Sequence, residues 1–182
     1  MTVQLRIAVT SDIAALNELI VRSARALSEG YYTAQEIESA ISHVFGVDTR
    51  LVADQTYFVA EREGALAGCG GWSRFRTLYG GDQRPVGGDD LLDPQVDAAR
   101  IRAFFVDPSH ARRGVGRAIL IQCATAAAAH GFSRLELMAT LPGVPLYSRM
   151  GFRPIRDVVD TLPDGTALPF VQMGCAIADL SV

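Results

Sequence analysis

The sequence predicts a single α/β domain built on a mixed sheet. Its 182 residues suit one domain with a core of its own, and hydrophobic (49%) and charged (20%) fractions are those of a folded chain. Period-two alternation and helical spacing take turns along the whole length, and no internal repeat or shift of composition marks a second unit.

Leu5, Ile7 and Val9 alternate with polar neighbours as an opening strand. Thr10-Ser11-Asp12 then offers an N-cap, and Ile13, Leu16, Leu19 and Ile20 recur at helical spacing toward Leu27. Gly30 breaks that helix. Thr33 with Glu36 forms a capping box for a second one, whose apolar stripe runs from Ile37 to Val44 and stops at Gly46. Tyr57–Ala60 and Leu66–Trp72 read as a hairpin turned by Glu63-Gly64. From Arg76 to Pro94, and irregularly to about residue 97, periodicity disappears while Gly80-Gly81, Pro85, Gly87-Gly88 and Asp89-Asp90 accumulate. Loops of that length are commonly lids or disordered segments. Arg100–Val106 is a strand, Val115–Ala129 a helix ended by Gly131, Arg134–Ala139 a strand and Pro145–Met150 a short helix. Val158-Val159 and Phe170–Ile177 supply the last strands, the first of which can begin at Phe152–Ile155.

All 17 Lys+Arg residues are arginine. Without lysine there is no Schiff base, no pyridoxal phosphate enzyme and no P-loop. A formal net charge of -3 gives no field for nucleic acid, so any basic site must be local. Cys69, Cys123 and Cys175 are odd in number and widely spaced, which speaks against a disulfide framework or a zinc ribbon and for buried small hydrophobes; no metal is expected. The first residues lack the pattern of a signal segment and no run approaches a membrane span, so a reducing cytoplasm is the expected compartment, with no membrane partner.

The sharpest local signal is Val106-Asp107-Pro108-Ser109-His110-Ala111-Arg112-Arg113-Gly114-Val115-Gly116-Arg117-Ala118. A strand ends, a short polar loop follows, and a helix opens with two glycines at its mouth. Free N–H groups and the positive dipole end there suit phosphate oxygens, and Arg112, Arg113 and Arg117 add guanidinium donors. A glycine-assisted turn with surface arginines is the plainer alternative. The dinucleotide fingerprint fails, because Ile119 stands where its third glycine belongs.

These residues resemble the GNAT superfamily of acyl-CoA-dependent N-acyltransferases. Ala111-Arg112-Arg113-Gly114-Val115-Gly116 is similar to its Gln/Arg-x-x-Gly-x-Gly/Ala turn, with Ala111 in the leading place, and Leu146-Tyr147-Ser148-Arg149-Met150-Gly151-Phe152 is similar to its Leu-Tyr-x-x-x-Gly-Phe segment. The resemblance implies a mixed, mostly antiparallel sheet of six to seven strands, flanked by about four helices, with strands 4 and 5 splayed. It further implies acetyl-CoA in that gap. Phe104, Phe105 and Val106 would offer backbone to the pantetheine arm, Arg112 to Ala118 would hold the pyrophosphate, and Thr140 stands where the family often has a pantetheine-contacting Asn. The side chains of Phe104 and Phe105 equally suit core packing.

Tyr147 matches the family's tyrosine that gives a proton to the departing thiolate, and the resemblance implies transfer by direct attack on the thioester, with the oxyanion meeting a backbone N–H near Phe105 or Val106. Packed core is the alternative for Tyr147. No cysteine has a neighbour that lowers its pKa, so an acyl-cysteine route is less attractive. Many relatives carry a Glu early in the fourth strand, whereas this chain has Arg100 and Arg102, which cannot be bases. They either recognise a carboxylate or phosphate on the acceptor or pair with Asp89, Asp90, Asp93 or Asp97. Tyr31, Trp72 and Arg74 are further acceptor candidates. His43 and His110 read as solvated residues and His130 as a complement to a helix end. The implied partner is a small-molecule amine, with a homodimer through the apolar last strands as a family-level expectation. A CoA-binding sensor without turnover and a phosphate-ligand module outside the family are the competing readings.

Overall fold

A computed structural model describes residues 2–84 and 90–181. Pro85, Gly87, Gly88 and Asp89, on which part of the loop expectation fell, lie outside the described residues. The chain runs β1 (Gln4–Ile7), α1 (Ile13–Leu27), α2 (Ala34–His43), α3 (Thr49–Ala53), β2 (Tyr57–Arg62), β3 (Ala65–Ser73), β4 (Ala99–Val106), α4 (Val115–Ala129), β5 (Arg134–Thr140), α5 (Val144–Arg149), β6 (Arg153–Thr161) and β7 (Ala167–Ala176). The strands form one sheet in the order β1-β2-β3-β4-β5-β7-β6, antiparallel except where β4 meets β5.

Among the described residues there are five α-helices rather than about four, the addition being α3, capped by Asp48, whose carboxylate accepts from the Arg50 N–H. Thr10–Asp12 is a short 3-10 turn and not a side-chain cap. The Asp12 carboxylate turns back to the Val9 N–H and to Arg6 instead. The Thr33 and Glu36 box forms as its spacing requires. The last strands are longer than their sequence signal, because β6 shows little but exposed residues and carries no burial alternation to read.

Each face of the sheet is covered. Ile119, Leu120 and Cys123 of α4 pack with Trp72, Leu135 and Leu137 on one side, while Leu16, Leu19 and Ile20 of α1 pack with Tyr57, Val59 and Leu168 on the other. At about 25 cal/mol per Å² of apolar surface, these two layers are the main favourable term in the fold. No helix among the described residues is long and apolar enough to cross a membrane.

Candidate active site

β4 and β5 pair only through Ala99↔Leu135 and Arg100↔Glu136. Beyond that point the edge of β4 facing β5 has no strand opposite it. A bulge is the cause: two steps on β3, Gly71 to Cys69, oppose three on β4, Arg102 to Phe105. Ala103 in the bulge takes φ +47°, which an L residue adopts at a cost, and its carbonyl accepts a 2.7 Å hydrogen bond from the Tyr57 hydroxyl. Gly70 makes room for this geometry, since a Cβ there would lie 2.5 Å from the Phe104 ring.

The chain leaves β4 into a turn built on Asp107. Its carboxylate accepts from the Ser109 N–H and hydroxyl and from Arg22 of α1. Burial alone would raise this carboxyl, but those bonds outweigh it and hold it below the ordinary value. Arg112 (φ +62°) and Gly114 (φ +84°) then reverse the backbone, and Gly114 caps α4 from the left-handed region. The bond from the Ala118 N–H to the Gly114 carbonyl closes the first turn, which leaves the N–H groups of Val115, Gly116 and Arg117 without intrahelical acceptors. Gly116 keeps the mouth narrow, because a Cβ there would come within 3.0 Å of Leu146 on α5.

Bulge and helix mouth face one cleft of about 560 Å³, with the end of α1 as the opposite wall. At its inner end lies Tyr147, only 7% exposed, its ring edge-on to Phe104 (5.9 Å) and tilted against Phe152 (5.7 Å). No hydrogen-bond partner for its hydroxyl exists among the described residues. Burial, with a smaller contribution from Cys123, pushes this phenol well above its usual range, so the proton stays on oxygen at neutral pH.

The Acetyltransferase (GNAT) family model matches residues 16–152. The chain belongs to the GNAT family of acetyltransferases. Solved structures agree on the fold: the GCN5-related N-acetyltransferase of Rhodopseudomonas palustris has a TM-score of 0.70 at 17% identity, covering 97% of this chain and 96% of that one. PaiA N-acetyltransferase from Thermoplasma acidophilum, solved with coenzyme A, has a TM-score of 0.63 at 14% identity, over 97% and 99%. YncA from Salmonella typhimurium, solved with acetyl-CoA, has a TM-score of 0.63 at 18% identity, over 100% and 98%. A search of curated proteins finds no match.

In this GNAT chain the cleft brings together Phe104 to Val106, Arg112, Gly114 to Arg117, Thr140 and Tyr147, whereas Arg113 and Ala118 do not line it. Tyr31, expected near an acceptor, stands on the α1 wall of the same cleft, and Arg149 contributes a guanidinium that sequence reasoning passed over although it lies two residues after Tyr147.

Phe45, Phe104, Phe105, Thr140 and Tyr147 also line an inner chamber of about 60 Å³ on the far side of the gap. That chamber ends at Arg102 and Gly81, which in turn line an outer cavity of about 260 Å³. The irregular segment after β3 forms part of its wall and is tied down: the Gly81 N–H donates to Val44, the Gln83 amide donates to Phe45, and Arg84 pairs with Asp160.

Three acceptor candidates lie elsewhere. Trp72 is 1% exposed and packs on His130 (4.9 Å) and Phe132 (6.0 Å) beneath α4, on the opposite face from Arg102. Arg74 pairs with Asp54 (2.7 Å) and lines none of these three cavities. Arg100 pairs with Glu136 (2.5 Å) where β4 and β5 are still joined. The partners of Arg100 and Arg102 are thus Glu136 and Asp48, and the aspartates close in sequence are not their partners among the described residues.

His43 stands 3.8 Å from Asp164, and His130 Nδ1 meets the Ala126 carbonyl at 2.8 Å. Burial pushes the Cys69 thiol up to about 12 and that of Cys123 higher, which disfavours the nucleophilic thiolate at both. Among the described residues no cluster of His, Cys, Asp and Glu could hold a metal.

Proposed function

We propose that this chain transfers an acetyl group from acetyl-CoA to the primary amine of a small molecule by direct attack. One observation carries the reading: the splayed cleft and the inner chamber meet at Tyr147, whose hydroxyl has no partner among the described residues.

The residues present fit coenzyme A. The free edge of β4 can pair with an amide-bearing arm as another strand would. Three N–H groups at the mouth of α4, with the guanidiniums of Arg112, Arg117 and Arg149, suit a pyrophosphate. Gly116 lets that group approach the backbone. Acetyl-CoA, when bound, supplies the activated thioester.

The chain's own groups do the rest. The backbone N–H of Val106 stabilises the oxyanion, that of Phe105 being turned to the Cys69 thiol on β3, and preorganised donors of this kind are typically worth about 3 kcal/mol. Tyr147 keeps its proton and presents it to the departing sulfur. The chamber has room for a slender acceptor. Among the described residues its wall holds no carboxylate and no histidine, so the acceptor amine gives up its proton toward the outer cavity before it attacks.

That same absence favours a second reading, a CoA-binding sensor without turnover. Thermal shift with acetyl-CoA, CoA and ATP, followed by thiol release with a panel of amines, separates the two. Stabilisation by the CoA ligands with thiol release supports the transferase, and stabilisation without release for any amine supports the sensor. No shift with either CoA ligand contradicts both, because ligand at about 100 times Kd adds about 2.7 kcal/mol.

A further inference from the structure

We propose that the acceptor carries an anionic group, a carboxylate or a phosphate, and that Arg102 holds it where the inner chamber opens into the outer cavity; this rests on the acetyl-transfer reading. Arg102 is 4% exposed, yet it lines both spaces. Its Nη1 donates to the Thr77 carbonyl (3.0 Å), and its Nη2 donates to Asp48 (2.8 Å) and the Gly80 carbonyl (2.6 Å). Its Nε is buried with no acceptor. A buried N–H left unpaired costs free energy that a ligand oxygen can restore once the site adjusts around it.

Among the described residues the outer cavity is lined by Arg50, Arg84 and Arg102 and by the acids Asp48 and Asp82, with Asp160 engaging Arg84. Both lining acids are already committed, Asp48 to the Arg50 N–H and to Arg102, Asp82 to the Thr49 N–H and hydroxyl. Burial and the neighbouring Arg50 charge both disfavour the Arg102 cation, and only Asp48 offsets them. An anion brought to this point gains, whereas a second cation on the acceptor does not. Arg102 precedes Phe104 by two residues on β4, and both line the inner chamber together with Tyr147. An amine a few bonds from the anion therefore reaches the Tyr147 end of the chamber.

Calorimetric titration of the CoA-loaded protein with three acetylated products tests this: N-acetyl-β-alanine, its neutral amide, and N-acetyl-phosphoethanolamine. We expect at least one anionic product to bind about tenfold more tightly than the amide, as charge-assisted bonds to guanidinium do. Which anion wins separates carboxylate from phosphate. Arg102→Gln should bring the ratio to about one while CoA affinity holds. Equal binding of all three by the wild type, binding of none, or a preference that survives Arg102→Gln overturns the proposal. If that variant does not fold, the wild-type ratio decides. Loss of the acetyl-transfer reading shows separately, as absence of CoA binding in the loading step or as CoA binding without thiol release from acetyl-CoA for any amine.

Discussion

The Tyr57 hydroxyl donates a 2.7 Å hydrogen bond to the Ala103 carbonyl, and the donor is entirely shut away from water. This bond fixes the bulge at which β4 parts from β5, and the cleft exists because of that parting. Tyr57→Phe should therefore lower stability by about 0.5–1.5 kcal/mol, the net contribution of a typical intramolecular hydrogen bond. It should also weaken CoA binding more than Ile37→Val, a core substitution on α2 that costs about 0.5–1.5 kcal/mol at a residue lining none of the three cavities. Urea denaturation and calorimetry on the two variants check this.

Gly70→Ala reaches the same bulge from β3. The new methyl meets Phe104 at 2.5 Å, so the ring must move off the edge-on contact it makes with Tyr147. The expected outcome is a stability loss of about 1–3 kcal/mol, typical of overpacking, with a larger proportional loss of turnover than of CoA affinity.

Tyr147→Phe should separate binding from chemistry. The hydroxyl has no partner to lose among the described residues, so melting temperature and CoA affinity should stay close to the wild type. The rate of thiol release should fall by about 100-fold or more, the usual contribution of a positioned proton donor. An unchanged rate at saturating acceptor removes Tyr147 from the mechanism.

Asp107 gives the turn before α4 a pH signature. Its carboxyl is held below the ordinary carboxylate value of about 3.9, so as pH falls the unfolded chain takes up the proton first. The contribution is complete above the ordinary value and disappears as pH falls through the lower, folded one. Asp107→Asn should therefore be less stable than the wild type at neutral pH, and the gap in urea midpoints should narrow in acid.

Much of this was readable from residues near one another in the chain. The Val115–Ala129 helix has the bounds its periodicity predicts, and the Thr33 box and the Gly64 hairpin form as their residues require. What escaped is set by distant or very short features. α3 spans five residues, too few to show a period. The splay depends on an Ala103 conformation that no local pattern announces, although Gly70-Gly71 opposite it was a visible trace. Arg102 finds Asp48 across more than fifty residues, and pairing of that kind follows topology rather than spacing. Trp72 looked like a binding aromatic only because the sheet face to which it belongs was unknown.

Titration of CoA into the chain tests the central claim most directly, that the gap between β4 and β5 is the cofactor site. One CoA per chain is expected, with affinity falling about tenfold or more in Arg117→Ala, as follows when a charge-assisted phosphate contact is lost. Gly116→Val, which fills the narrow mouth beside Leu146, should weaken binding as well. Absence of binding to the wild type, or binding indifferent to both substitutions, would contradict that claim.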